Sequence, residues 1–251
     1  MEPIDPSSAS RRSPGRLRAA AHEGLVAARG NLVPAAILFT FALSLILAYQ
    51  FWPAFEAALE RVVEARERTG LLFPIVSTAF FGGALPLVFR RFLLRERAPL
   101  PEVLFAVGFW AFKGAEVALF YEFQAWFWGE GTDFKTLLAK VVTDQAIFCP
   151  LLAVPDMTLA YLWFHSGFSL SRMRAALRRK GFLERMLPVL ISNASVWVPA
   201  LFIVYQFPTA LQLPLFNIIL TFWVLTLAIV AKNQNETPDD KALEETRGTA
   251  G

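Results

Sequence analysis

The sequence predicts an all-α protein, a polytopic transmembrane helical bundle of about six spans. Three observations lead there. Hydrophobic residues make up 55% of the 251-residue chain and charged residues only 18%. Long stretches carry no charge at all, and Lys and Arg collect in short blocks between the apolar runs. That much apolar surface exceeds what a soluble core of this length hides, and its segregation from the charges favours a bilayer over a globular interior.

The first span, residues 32–52, runs without a charge; at 1.5 Å per residue it reaches about 31 Å, the thickness of a hydrocarbon core. The second, near 71–89, is also uncharged. It carries Pro74 and Pro86 near its ends and Gly82-Gly83 in its middle, which predicts a kink or a close helix contact. The third and fourth, near 103–128 and 141–164, include charges: Lys113, Glu116 and Glu122 in one, Asp144 and Asp156 in the other. Each is long enough to cross, and loop signals bracket each, with Pro99-Leu-Pro101 before the third and Gly129-Glu-Gly131 between the two. The last two, near 186–207 and 211–231, are uncharged and joined by the short link at Pro208.

The distribution of basic residues tests this count, because each added span reverses which loops should be basic. With six spans one side receives the arm (Arg11, Arg12, Arg16, Arg18, Arg29), Arg90 to Arg97, Arg172 to Arg185, and the tail. The other receives only Arg61, Arg66, Arg68, Lys135 and Lys140. Both termini are therefore expected on the cytoplasmic or matrix side. The membrane domain is taken as 31–231, with a disordered basic arm over 1–30 and a disordered polar tail over 232–251. An arm rich in Arg and Ala but interrupted by acids suits a bacterial cytoplasmic membrane, with a mitochondrial inner membrane as the alternative.

Ionisable groups inside a bilayer cost about 2.5 to 3.5 kcal/mol each on insertion scales, so they face protein or water. At 100° per residue Lys113, Glu116 and Gln124 fall on one face of the third span, with Glu122 opposite. Lys140 and Asp144, four apart and followed by Gln145, make a second polar stripe on the fourth. These six residues are the candidate polar path. The plainer reading, of equal weight, is paired charges that fix helix packing. Asp156 after Pro155 reads as the cap of a restarted helix, His165 as an interfacial residue, and Cys149 as a small packing residue.

No catalytic, cofactor or metal constellation is present: no paired histidines at ligand spacing, no nucleophile elbow, no phosphate-cradling glycine loop. An enzyme is not expected, nor a cofactor. The pI near 9.2 reflects topology rather than nucleic-acid binding, since the basic blocks match no nucleic-acid motif. The expected partners are the lipid bilayer and small solutes or ions, and a homo-oligomer is compatible with the pattern.

From the third span onward the chain resembles the family of the peroxisomal membrane protein of twenty-two kilodaltons and its mitochondrial inner-membrane relatives (Mpv-seventeen type). The resemblance covers roughly residues 100–231. Lys140, Asp144, Gln145 and Pro150 match that family's most specific signature. Tyr121 matches its aromatic pair, and Trp197, Pro199 and Trp223 match its closing Trp and Pro positions. The family's Gly-Pro and His are replaced around Lys113, Gly114 and Glu116, and its final Asn-Phe near Tyr205 and Gln206. The resemblance implies a multi-pass protein of organelle membranes with pore or channel activity for small solutes. Two functional expectations follow: such a pore, and alternatively a non-catalytic scaffold or assembly protein whose intramembrane charges are structural.

Overall fold

A computed structural model describes residues 14–93 and 95–235 of the chain. Regular structure among them is helical throughout, so the fold is the expected all-α, multi-pass one. The helices are α1 (Pro14–Gly30), α2 (Leu32–Phe51), α3 (Pro53–Thr69), α4 (Leu72–Thr78), α5 (Leu85–Leu93), α6 (Leu100–Trp128), α7 (Phe134–Thr143), α8 (Val154–His165), α9 (Leu170–Arg179), α10 (Phe182–Val204) and α11 (Thr209–Asn235). A π-helical turn, Ala79–Ala84, joins α4 to α5, and a longer one, Asp144–Ala153, joins α7 to α8.

Five helical segments among the described residues are long and apolar enough to cross a membrane: Leu32–Phe51, Leu72–Phe92, Leu100–Trp128, Phe134–His165 and Phe182–Val204. In the first, only 22% of the most apolar window is buried, so the rest needs an apolar surround that water does not supply. The sixth expected span, 211–231, falls on α11, of which Thr209–Trp223 is apolar. Side chains beyond Trp223, and the tail beyond Asn235, lie outside the described residues.

The chain divides into two compact units, the first Met1–Ala36 with Gly131–Gln206, the second Ile37–Glu130 with Phe207–Gly251. In the first unit α1 packs along α10. Leu17, Ala20, Ala21, Gly24, Ala28 and Asn31 recur at helical spacing on the covered side, while Arg16, Arg18, His22 and Glu23 point outward. Small residues let the backbones close in: a Cβ on Gly24 would meet Ile191 Cβ at 2.9 Å and the Pro188 Cα at 3.0 Å. Asn31 Nδ2 donates to Ser192 Oγ at 2.8 Å, and Lys180 pairs with Glu23 at 3.3 Å. Where a disordered arm over 1–30 is expected, residues 14–30 form helix α1, and residues 1–13 of the arm lie outside the described residues. An Ala and Gly stripe carries too little hydrophobicity to register in the sequence, although it suffices for close packing.

The fourth span starts earlier than expected, at Phe134, because Asp133 is an N-cap. Its Oδ1 accepts from the backbone N–H groups of Lys135 and Thr136, each at 3.1 Å, and its Oδ2 accepts from Thr136 Oγ1 at 2.6 Å. The Thr136 hydroxyl first, and then these backbone donors, hold the Asp133 carboxyl below the usual carboxylate range. Lys140, expected at the opening of the span, therefore lies inside it and is 1% exposed. The helix loosens over Asp144–Ala153, where Pro150 has no N–H to donate, and the Val154 N–H bonds to Cys149 O five residues back. It restarts with Pro155 in the first turn of α8. Asp156 is in that turn, but the cap position belongs to Ala153, so Asp156 favours the helix dipole rather than capping it.

In the second unit α6 lies against α4 and the π turn that follows it, and three glycines set the approach. A Cβ on Gly114 would sit 2.2 Å from Pro74 O, one on Gly82 2.5 Å from Trp110 Cε3, and one on Gly83 2.9 Å from Ala106 O. Of the kink or close contact expected at Gly82-Gly83, the close contact occurs, and the helix takes a π register there. In the π register the Leu85 N–H bonds to Phe80 O, five residues back. By the same register Phe81 O would accept from residue 86, which is a proline and has no N–H. The Thr221 hydroxyl of α11 fills that vacancy, 3.1 Å from Phe81 O, with its single proton shared with Asn217 O at 3.0 Å. Thr221→Val keeps the shape and removes this donor, so we expect a loss of about 1 kcal/mol in thermal unfolding of the detergent-solubilised protein. Thr221→Ser should retain wild-type stability, and equal stability of the Val variant would refute the assignment.

Candidate functional site

The first unit holds a polar cluster at the point where the fourth span loosens. Asp144 opens the π segment and is 5% exposed. Its Oδ2 accepts from Tyr205 OH at 2.6 Å, and its Oδ1 accepts from Gln145 Nε2 at 2.9 Å, with Cys149 Sγ at 3.5 Å. Gln145 Nε2 also reaches Cys149 Sγ at 3.4 Å, and Asn193 Nδ2 of α10 lies 3.5 Å from Gln145 Oε1 and 3.7 Å from the same sulfur. Lys140 is buried one turn before Asp144 on the same helix face. α7 and the π segment thus place Lys140, Asp144 and Gln145, while α10 and the turn after it bring Asn193 and Tyr205 against them. Cys149, read as a packing residue, is a member of the polar cluster.

Lys113, Glu116 and Gln124 belong to the second unit, on α6. Lys113 and Glu116, three apart, form the ion pair that their spacing predicts. Lys113, Val117, Tyr121 and Gln124 share the buried stripe, and Glu122 faces away from it. Glu122 has its own partner: Arg66 of α3, 9% exposed, donates to Glu122 Oε1 at 3.1 Å and to Thr209 O at 2.7 Å. A further group sits beside the interrupted second span, where Asn217 Nδ2 donates to Thr78 Oγ1 at 3.0 Å and Thr78 Oγ1 donates to Asn217 Oδ1 at 3.1 Å. Both residues are fully buried.

Of the residues singled out by resemblance, Tyr121 is 2% exposed with its ring edge-on to Phe216 at 6.4 Å. Trp197 is also buried, Pro150 lies in the π segment, and Pro199 and Trp223 are half-buried. Tyr205, Asn193, Asn217 and Arg66 were missed. A tyrosine and two asparagines within apolar runs, and an arginine on an amphipathic helix, give no sequence-level sign of their partners.

No protein-family model, curated protein or solved structure matches the chain. What the structure defines is a class: a multi-pass membrane protein in which two spans are interrupted by π-helical segments, each beside buried polar side chains. Among the described residues no group of three or more His, Cys, Asp or Glu is arranged to hold a metal.

Proposed function

We propose that the protein conducts a small polar solute or ion across its membrane as a pore or channel, without catalysis. The observation that carries this reading is Asp144: an ionisable group within a membrane span, at the first residue of a helix interruption, surrounded by side chains that present both donors and acceptors. Charges at that depth are costly and mark solute pathways by default, and broken membrane helices free backbone groups for binding polar cargo. Lys140, Asp144 and Gln145 line the path in the first unit. Lys113, Glu116 and Gln124 are the corresponding polar residues of the second. The resemblance to the peroxisomal and mitochondrial membrane-protein family points the same way. On the distribution of basic loops, both termini lie on the cytoplasmic side of a bacterial membrane, or on the matrix side of a mitochondrial one.

The second reading, a scaffold, is favoured by a specific observation: Asp144 with Tyr205, Lys113 with Glu116, and Thr78 with Asn217 satisfy one another inside the protein. Purified protein in solute-loaded liposomes separates the two. A pore gives flux in the wild type, and its ion selectivity changes in folded Asp144→Asn and, separately, Lys113→Met. A scaffold gives no flux and loses stability on the same substitutions, because each strands a buried partner. Absence of flux across several ions and small metabolites would overturn the pore.

A further inference from the structure

The link between the fourth and fifth spans carries a surface that the conduction path does not use. Residues 166–181 contain no acidic residue and include Arg172, Arg174, Arg178, Arg179 and Lys180. Ten of these residues form α9, in which no residue is buried. On a helical projection Leu170, Met173 and Leu177 fall within an arc of about 60°, while Arg174 and Arg178 flank that arc and Arg179 and Arg172 lie across from it.

Some of the cations already have tasks. Arg185 donates to Ala176 O at 2.9 Å and Lys180 O at 3.1 Å, closing the end of α9, and Arg172 reaches back to Gly167 O at 3.3 Å. Lys180 pairs with Glu23. No ion pair among the described residues involves Arg174, Arg178 or Arg179, and all three are exposed.

Two features favour a place for α9 at the membrane surface. It is bounded by spans ending at His165 and beginning at Phe182, so a helix about 15 Å long is tied to the bilayer boundary at both ends. The turn into it, with Gly167 at φ +59° and Phe168 at φ +58°, folds Phe168 onto Trp163 at 4.9 Å and Phe164 at 5.7 Å. Tyr161 and Trp163 stand just before it, and aromatic side chains of this kind settle at headgroup level.

We propose that α9 lies in the plane of the interface and binds the phosphate headgroups of anionic phospholipids through Arg174, Arg178 and Arg179. Its apolar face rests on the acyl boundary, and its guanidiniums meet phosphate oxygens with fork geometry. A polybasic helix gains from an anionic leaflet residue by residue, and the attraction decays within a Debye length. Only a surface held this close, as α9 is, collects the full effect.

The full-length protein in phosphatidylcholine nanodiscs, titrated with fluorescent phosphatidylglycerol, tests this. Wild-type protein should enrich phosphatidylglycerol over fluorescent phosphatidylcholine, and raised salt should reduce the enrichment. Arg174→Gln/Arg178→Gln/Arg179→Gln should weaken it by about tenfold or more. The triple Lys variant should retain most of it, since charge survives while the bidentate fork is lost. Circular dichroism should be unchanged, because α9 buries nothing. Equal enrichment by the triple Gln variant and wild type would overturn the proposal. So would displacement of the lipid by millimolar inorganic phosphate, which would make this a site for the free anion. Solute flux is not part of this readout, so the lipid site and the pore fail separately.

Discussion

Gly114→Ala is expected to destabilise the protein by about 3 kcal/mol or more, seen as a lowered unfolding temperature in detergent and reduced yield of folded protein. The added Cβ would stand 2.2 Å from Pro74 O, 2.8 Å from its carbonyl carbon and 2.9 Å from Thr78 Cβ. Backbone atoms cannot rotate aside, so α6 and α4 must move apart. That movement disturbs two things at once: Lys113, the neighbouring residue that pairs with Glu116, and Thr78, which pairs with Asn217. Gly108, on the same helix, is the internal control, because nothing lies within 4 Å of a Cβ there. Gly108→Ala should be neutral or stabilising by up to about 1 kcal/mol through helix propensity. If the two alanine variants melt together, the close contact at Gly114 is not what holds these helices.

The same glycines show how far the sequence could be read. Charge-free runs of the right length announced the membrane class and, at 32–52, 71–89 and 186–207, three of the five long apolar segments directly, because burying about twenty apolar residues in lipid is a one-dimensional requirement. Interruptions were half legible. Pro86 and Gly82-Gly83 signalled a kink, but the π register and the Thr221 hydroxyl that serves Phe81 O depend on α11, far away in the chain. Helix α1 was illegible for a related reason: its Ala and Gly stripe acquires meaning only when Pro188 and Ile191 close on Gly24. At the candidate site, Lys113 with Glu116 followed from helical spacing alone. Lys140, Asp144 and Gln145 were placed on one element, yet spacing within one helix does not reveal a partner on another. Tyr205 lies 61 residues beyond Asp144, and no local pattern links a tyrosine at the end of one apolar run to an aspartate within an earlier one.

The Tyr205–Asp144 contact also carries the second large effect. Asp144→Ala should cost about 3 kcal/mol, since it removes the acceptor of Tyr205 OH and of Gln145 Nε2 and opens a cavity among buried neighbours. Tyr205→Phe leaves the ring and the Gln145 bond in place and removes only the 2.6 Å donor, so a smaller loss of about 1 to 2 kcal/mol is expected. In the double variant the losses should not add. A coupling energy of about 1 kcal/mol or more in a thermal-unfolding cycle is the mark of a bond formed in the folded protein. Additivity within about 0.5 kcal/mol would mean that the hydroxyl and carboxylate do not hold each other. The same variants bear on conduction in a different way. Tyr205→Phe keeps the Asp144 carboxyl in place and frees one of its oxygens of a donor, so a pore should keep its ion preference while its flux changes. Asp144→Asn replaces the carboxyl itself with an amide and should change the preference. A scaffold offers no reason for the two variants to separate in that manner, because in it both groups act only through stability.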